Sequence, residues 1–283
     1  MSDTIASPNA KMIEQWNTAT GQTWAVFQAE LDAQVAPLGS PALAALDVHA
    51  GAQVLDIGCG CGQTALQLAD LVGQDGHVVG VDISKLMLEV ARGRAGLSGL
   101  SNITFLEADA QTYDLGRQRF DAVFSRFGVM FFADPVAAFS NISKAMKSGG
   151  RLAFVCWRPL SLNDWMRLPL ETAMTFLPPS PPSDPLAPGP FAFADAERVR
   201  SILNEAGFTH IETRPFDTPI SMGDLATATR VALQVGPLGR LLRENPAVIP
   251  DVTEAIGTLL KNHVTEVGTV QMPASVWIVT ASA

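Results

Sequence analysis

Gln53-Val54-Leu55-Asp56-Ile57-Gly58-Cys59-Gly60-Cys61-Gly62 is the stretch on which the fold turns. Val54, Leu55 and Ile57 form a short apolar run with β-branched members, the pattern of a strand covered on both faces of a parallel sheet. Gly58, Gly60 and Gly62 then end the strand. Glycines at alternate positions let the backbone turn sharply and approach a ligand where a Cβ would collide. Gln63 to Leu71 reads as a helix, so strand, loop and helix N-terminus together make a cofactor cradle. Further on, His77-Val-Val-Gly-Val-Asp82 gives a second strand ending in a carboxylate, the usual position of a group that binds ribose hydroxyls.

A glycine-rich loop alone does not say which cofactor. The dinucleotide fingerprint asks for glycine where this chain has Gln63, and the lysine of a phosphate-binding loop is missing. Asp56 adds a charge argument: a strand carboxylate two residues before Gly58 repels a pyrophosphate and suits a ligand carrying an ammonium and a sulfonium. Asp56 to Gly62 has the form Asp-x-Gly-x-Gly-x-Gly. It resembles the first motif of the class I S-adenosylmethionine-dependent methyltransferases.

The resemblance implies roles for particular residues. Gly58, Cys59 and Gly60 supply a close backbone wall, Asp56 favours the cationic donor, and Asp82, with Ile83 beside it, binds the ribose. Asp109-Ala110, after the third strand (Asn102 to Ala108), sits where the family holds the adenine amine; an exposed turn carboxylate is the other reading. Ser125 and Arg126, at the end of the fourth strand (Phe120 to Ser125), approach the methionine portion. Arg126 stands among apolar residues and needs a carboxylate partner, from protein or substrate. Phe127 to Phe132 begins an acceptor pocket, although Phe131 and Phe132 read better as packing against the next helix.

At 283 residues the chain suffices for one large core or one domain with an insertion. Its 47% hydrophobic and 17% charged residues describe a globular protein, and no uncharged apolar run nears the ~20 residues of a membrane span. The N-terminus lacks a signal-peptide pattern, which predicts a cytoplasmic protein. A net charge of −9 disfavours nucleic acid as a partner. Cys59, Cys61 and Cys156 lack zinc spacing, the four histidines are scattered, and no metal is nominated.

Along the chain, residues 1–50 read as an N-terminal helical cap, in which Trp16-Asn17, Gly21 and Trp24 stand out. Edge packing and a lid over the cofactor are both open for this segment; in the lid reading Trp24 is the contact. From Gln53, strands and helices alternate, predicting a doubly wound, Rossmann-like α/β sheet. Asp134-Pro135 starts a helix with an N-cap and a first-position proline, and Arg151 to Trp157 is the fifth strand. The run Phe120 to Trp157 resembles the small-molecule methyltransferases that include the ubiquinone and menaquinone enzymes.

Asn163 to Phe176 reads as a helix that Pro169 breaks or kinks. Seven prolines fall within 177–190, which is either a flap or a plain surface loop. Asp195 to Ala206 is a helix, Phe208 to Pro219 a strand, and Ala274 to Ala281 the last strand. The family's plan makes the sheet seven-stranded and mostly parallel, with this last strand antiparallel. The core then comprises 51–221 and 269–283. Residues 222–268 form a helical insertion, with helices over Asp224 to Gln234 and Pro250 to His263, serving as an acceptor lid or a homodimer contact.

The function implied is methyl transfer from S-adenosylmethionine to a small, partly apolar acceptor. Two rivals are a protein that binds this cofactor without methyl transfer and a nicotinamide-dependent dehydrogenase. No catalytic base is assigned. The sulfonium is already electrophilic, so the protein's task is to align the acceptor and exclude water.

Overall fold

In the computed structural model, which describes residues 7–178 and 184–283, the sheet has seven strands in the order β3-β2-β1-β4-β5-β7-β6. These are β1 (Gln53–Ile57), β2 (His77–Asp82), β3 (Ile103–Glu107), β4 (Phe120–Arg126), β5 (Met146–Trp157), β6 (Thr209–Ser221) and β7 (Gln271–Ser282). β1 pairs in parallel with both β2 and β4, whereas β7 runs antiparallel to β5 and β6. The chain therefore winds outward from β1 to β3 and restarts at β4. The crevice between β1 and β4 is the topological switch point, where open α/β sheets hold ligands at the carboxyl ends of their strands.

Strand burial follows from composition. Val54, Leu55, Val123, Phe124 and Phe154 are sealed from solvent, as the apolar runs on central parallel strands require. The outer strand β6 alternates charged or polar residues with apolar ones, and Pro215 and Pro219 lie in it, tolerable at a sheet edge where one side needs no partner.

Eleven helices are described: α1 (Ala10–Trp16), α2 (Ala19–Val26), α3 (Gln28–Leu46), α4 (Gln63–Val72), α5 (Lys85–Ser98), α6 (Pro135–Ala145), α7 (Asp164–Met174), α8 (Ala196–Glu205), α9 (Leu225–Ala232), α10 (Gly236–Glu244) and α11 (Ile249–Lys261). Asp134 caps α6 by accepting the Ala137 N–H at 2.9 Å, as its sequence predicts. α3 packs against β4 to β7 and runs through Pro37 and Pro41.

Several expectations are revised. Pro169 does not break α7; it is buried within the helix, whose start is fixed instead by Asn163. That side chain is fully buried, donates to the carbonyls of Arg158, Pro159 and Ser275, and accepts the Ser275 N–H at 2.9 Å, fastening α7 to β7. The insertion holds a third helix, α10, between the two expected. α9 and α11 pack on each other, and α10 and α11 pack on α7. Within the proline-rich stretch, Pro179, Pro181 and Pro182 lie outside the described residues.

Candidate active site

A cavity of about 480 Å³ opens at the switch point. Its floor is main chain. Gly58, Gly60 and Gly62 all adopt positive φ, at 66°, 54° and 84°. A Cβ on Gly58 would lie 2.6 Å from Gly128 Cα, so the loops after β1 and β4 meet backbone to backbone where no side chain fits.

Asp82 closes one side. Its Oδ2 accepts the Gly60 N–H and its Oδ1 the Ser84 N–H, both at 2.8 Å, and these bonds aim the carboxylate beside the glycine loop. Burial raises its pKa above the ordinary value, with the Ser84 and Gly60 N–H groups pulling the other way. Each carboxylate oxygen has a second lone pair, so the group can still accept from a hydroxyl.

The cap lies over this side and is clasped to it. Asn17 donates to the Ile83 carbonyl at 2.7 Å and accepts the Lys85 N–H at 2.9 Å, while Ser84 Oγ donates to the Trp16 carbonyl. A Cβ on Gly21 would sit 1.9 Å from the Trp16 carbonyl oxygen and 2.8 Å from Ser84 Oγ, which explains the glycine there. Trp24 lines the cavity, with its ring centroid 6.0 Å from that of Trp16.

Of the residues singled out in the sequence, Trp24, Gly58, Cys59, Gly60, Asp82, Ile83, Asp109, Ala110 and Arg126 line this one cavity. Asp56 and Ser125 stand behind the lining. Asp56 is fully buried: Oδ2 accepts from Thr64 Oγ1 at 2.6 Å and Oδ1 has no partner among the described residues. Burial pushes its pKa up to about 7, against the pull of Thr64 and Arg126. Ser125 Oγ donates to the Ile57 carbonyl at 2.7 Å and accepts the Gly128 N–H, tying β4 to β1 from within.

Asp109 and Arg126 already have protein partners. Asn9 Nδ2 donates to both Asp109 oxygens at 2.9 Å and to Gln111 Oε1, and Asn9 Oδ1 accepts the Ala133 N–H. The start of the cap is thus latched beside the third strand. Arg126 pairs with Asp32 at 3.3 Å and donates to Gln63 Oε1. Asp32 also pairs with Arg94 at 2.9 Å, and Arg94 reaches the Cys61 carbonyl. Burial lowers the Arg126 pKa and Asp32 opposes that.

Asp32, Asn9 and α10 were not identified from the sequence. Asp32 lies inside a helix distant in sequence from the site, and nothing in its spacing marks it. The thiols are poor nucleophiles: burial raises Cys59 and Cys156 well above the ordinary value and Cys61 to about 12. No histidine lines the cavity, and no metal-ligand cluster occurs among the described residues.

Aromatic rings also line the cavity. Phe127 and Trp157 stack at 4.1 Å between centroids, Trp157 lies 5.2 Å from Trp165, and Phe131 meets Trp16 edge to face at 5.2 Å. Phe131 lines the cavity in addition to packing, whereas Phe132 also reaches Phe139 of α6, the packing role expected for it. Trp165 is buried and its indole N–H has no acceptor among the described residues, a donor for which a ligand oxygen is a fitting partner.

The glycine cradle that a Cβ would fill, with Asp82 at its side and carboxylates in place of phosphate-binding cations, fits S-adenosylmethionine. The comparisons agree. The family described as "Methyltransferase domain" matches residues 48–176. Aklanonic acid methyltransferase DauC of Streptomyces sp. (strain C5) is 37% identical over 118 residues, 42% of this chain and 54% of the relative, so the chain spans about half the length of that protein. Demethylmenaquinone methyltransferase of Staphylococcus saprophyticus is 28% identical over 181 residues, 60% of this chain and 76% of the relative. Among solved structures, the YcgJ protein of Bacillus subtilis superimposes with a TM-score of 0.57 at 19% identity, covering 85% of this chain and 95% of that one, and shows the shared fold.

Residues 48–176 thus form a methyltransferase domain of the class I, Rossmann-like kind. Beyond that domain, the relatives that the chain resembles are methyltransferases named for small-molecule acceptors.

Proposed function

We propose that the acceptor is a flat, partly apolar aromatic molecule, held between the Phe127–Trp157 stack and Trp165. The observation that carries this reading is the continuity of that aromatic wall with the glycine cradle in one cavity. The names of the relatives point the same way, since aklanonic acid and demethylmenaquinone are the compounds they specify.

Bound S-adenosylmethionine supplies a methyl group already activated by the positive sulfur. The chain's own residues do the rest. Gly58 to Gly60 present main chain at close range, Asp82 accepts from ribose hydroxyls, and Ala110, Ile83 and Trp24 enclose the cofactor. Asp109, whose oxygens accept from Ser7, Asn9, Thr112 and the Gln111 N–H, holds the turn and the start of the cap beside the adenine. Asp56 acts from behind the wall through Thr64, and Ser125 fixes the separation of β1 and β4. Arg126, tied to Asp32, sets the position of α3 over the site. The aromatic lining excludes water, which aligns the acceptor and favours transfer over hydrolysis. No base is required of an acceptor that enters ionised or already nucleophilic.

The division of the chain follows. Residues 1–50 act as the cap over the cofactor, 51–221 with 269–283 as the core, and 222–268 as the acceptor-side insertion, supported by the presence of Val235 and Pro237 in the cavity wall. That placement favours an acceptor lid over a homodimer contact. Three free, buried cysteines and the absence of any described helix able to cross a membrane accord with the cytoplasm.

Incubation with methyl-labelled cofactor and a panel of hydroxynaphthalenes, hydroxyquinones and aliphatic alcohols tests the reading. Label is expected in the flat aromatic members. Label confined to the aliphatic alcohols contradicts it.

A further inference from the structure

The cavity wall includes four cations, Lys11, Arg126, Arg240 and Arg243, in a chain whose net charge is −9. They are not equivalent. Arg126 is largely covered, its side chain 11% exposed, and paired with Asp32, whereas Lys11, Arg240 and Arg243 make no ion pair among the described residues. Arg240 and Arg243 are one turn apart on α10, on adjoining positions of one helix face. The opposite stripe of α10, Leu238 and Leu242, is buried and holds the helix in place.

Two like charges at this spacing oppose each other, and among the described residues the one protein acceptor for either guanidinium is the Gln234 carbonyl, 3.4 Å from Arg243. Burial lowers the Arg243 pKa, and Arg240 pushes it the same way while Glu244 opposes. The acids of the cavity are committed elsewhere: Asp32 to Arg94 and Arg126, and Asp82 and Asp109 to N–H donors. Asp184 is the remaining acid on the wall, with its Oδ1 accepting the Leu186 N–H. A guanidinium presents a fork of N–H donors that matches the oxygens of a carboxylate or phosphate.

The geometry points to an acceptor that carries an oxyanionic group, a carboxylate or a phosphate, which Arg240 and Arg243 bind at the rim while its flat body lies against the aromatic wall. This rests on the proposed aromatic acceptor, and it adds the charge by which that acceptor is selected. The pair acts as a recognition handle and takes no part in the bond changes.

Calorimetry on the full chain separates the two readings. S-adenosylhomocysteine is titrated first, and the loaded protein is then titrated with 6-hydroxy-2-naphthoate, 2-naphthyl phosphate and neutral 6-hydroxy-2-naphthamide. At least one anion is expected to bind about tenfold tighter than the amide at low salt, an advantage that shrinks as salt is raised. Which anion leads identifies the group. In Arg240→Gln/Arg243→Gln, whose side chains are exposed, the advantage disappears while affinity for S-adenosylhomocysteine stays within about twofold. Equal affinity for anions and amide, failure of both anions to bind, or an advantage that survives the double substitution overturns the inference. Binding of all three naphthalenes without charge preference leaves the aromatic pocket standing; no binding by any of them removes that too.

Discussion

At the β1 end of the cavity the wall is main chain, Gly58 and Gly60 with an aimed carboxylate beside them; at the α7 and α10 end it is side chain, stacked rings and guanidiniums that have no ion pair among the described residues. The first end is set by strand pairing. Its geometry depends on few residue types, each with a conformational reason to be there. The second is assembled from elements far apart in sequence, α1, α7, α10 and the loop after β4, so it can change its lining without disturbing the sheet. This difference teaches why the cofactor is defined by the fold while the acceptor is set by the attachments.

The contrast can be broken most severely at the backbone end. Gly58→Val combines a positive φ with a Cβ 2.6 Å from Gly128 Cα, and is expected to cost about 4 kcal/mol of stability and to abolish S-adenosylhomocysteine binding. Thermal unfolding and calorimetry read both; retained binding would mean the two loops are not pressed together.

Next comes the link between cap and sheet. Asp32→Ala leaves the largely covered Arg126 without its carboxylate, with an expected loss of about 3 kcal/mol in urea unfolding. A loss below about 0.5 kcal/mol would show that solvent replaces the pair.

Asp56 sharpens the comparison through pH. Its folded pKa of about 7 lies above the ordinary 3.8, so the folded state holds the extra proton between those values. Its contribution is therefore intact below about pH 4 and is lost as pH rises toward 7, after which it is constant. Asp56→Asn removes that loss. Relative to the parent, the variant is expected to gain about 2 to 3 kcal/mol between pH 5 and pH 8, at about 1.4 kcal/mol per unit. A difference that does not change with pH would place the ionisation outside this interval.

The smallest expected effect is at Asp82. Asp82→Ala should weaken S-adenosylhomocysteine binding by about 1 to 2 kcal/mol, the value of a charged hydrogen-bond partner, measured by calorimetry. Unchanged affinity would remove Asp82 from the ribose site.

The same contrast explains what could be read in the chain. Strand β1, its glycine loop, the carboxylate ending β2 and the Asp134-Pro135 helix start were legible because each carries a local physical constraint on residue type. α10 was not legible: Gly236 and Gly239 argue against a helix, Pro237 is tolerated only because it falls in the first turn, and burial of Leu238 and Leu242 outweighs the glycines. Gly239 is in fact needed, since a Cβ there would lie 2.1 Å from the Gln234 carbonyl oxygen. Pro169 is tolerated in α7 because the helix is held by packing and by the Asn163 network. Asp32, Asn9 and the engagement of Asp109 and Arg126 depend on contacts between residues about a hundred positions apart, which no local pattern encodes.

A carboxylate-lined glycine nest is expected to select S-adenosylmethionine and its demethylated form over a pyrophosphate cofactor. The most direct test of this selection is parallel calorimetric titration of the purified protein with S-adenosylhomocysteine and with NADH. Saturable binding of S-adenosylhomocysteine with no heat from NADH is the result predicted; saturation by NADH, with S-adenosylhomocysteine inert, would contradict it.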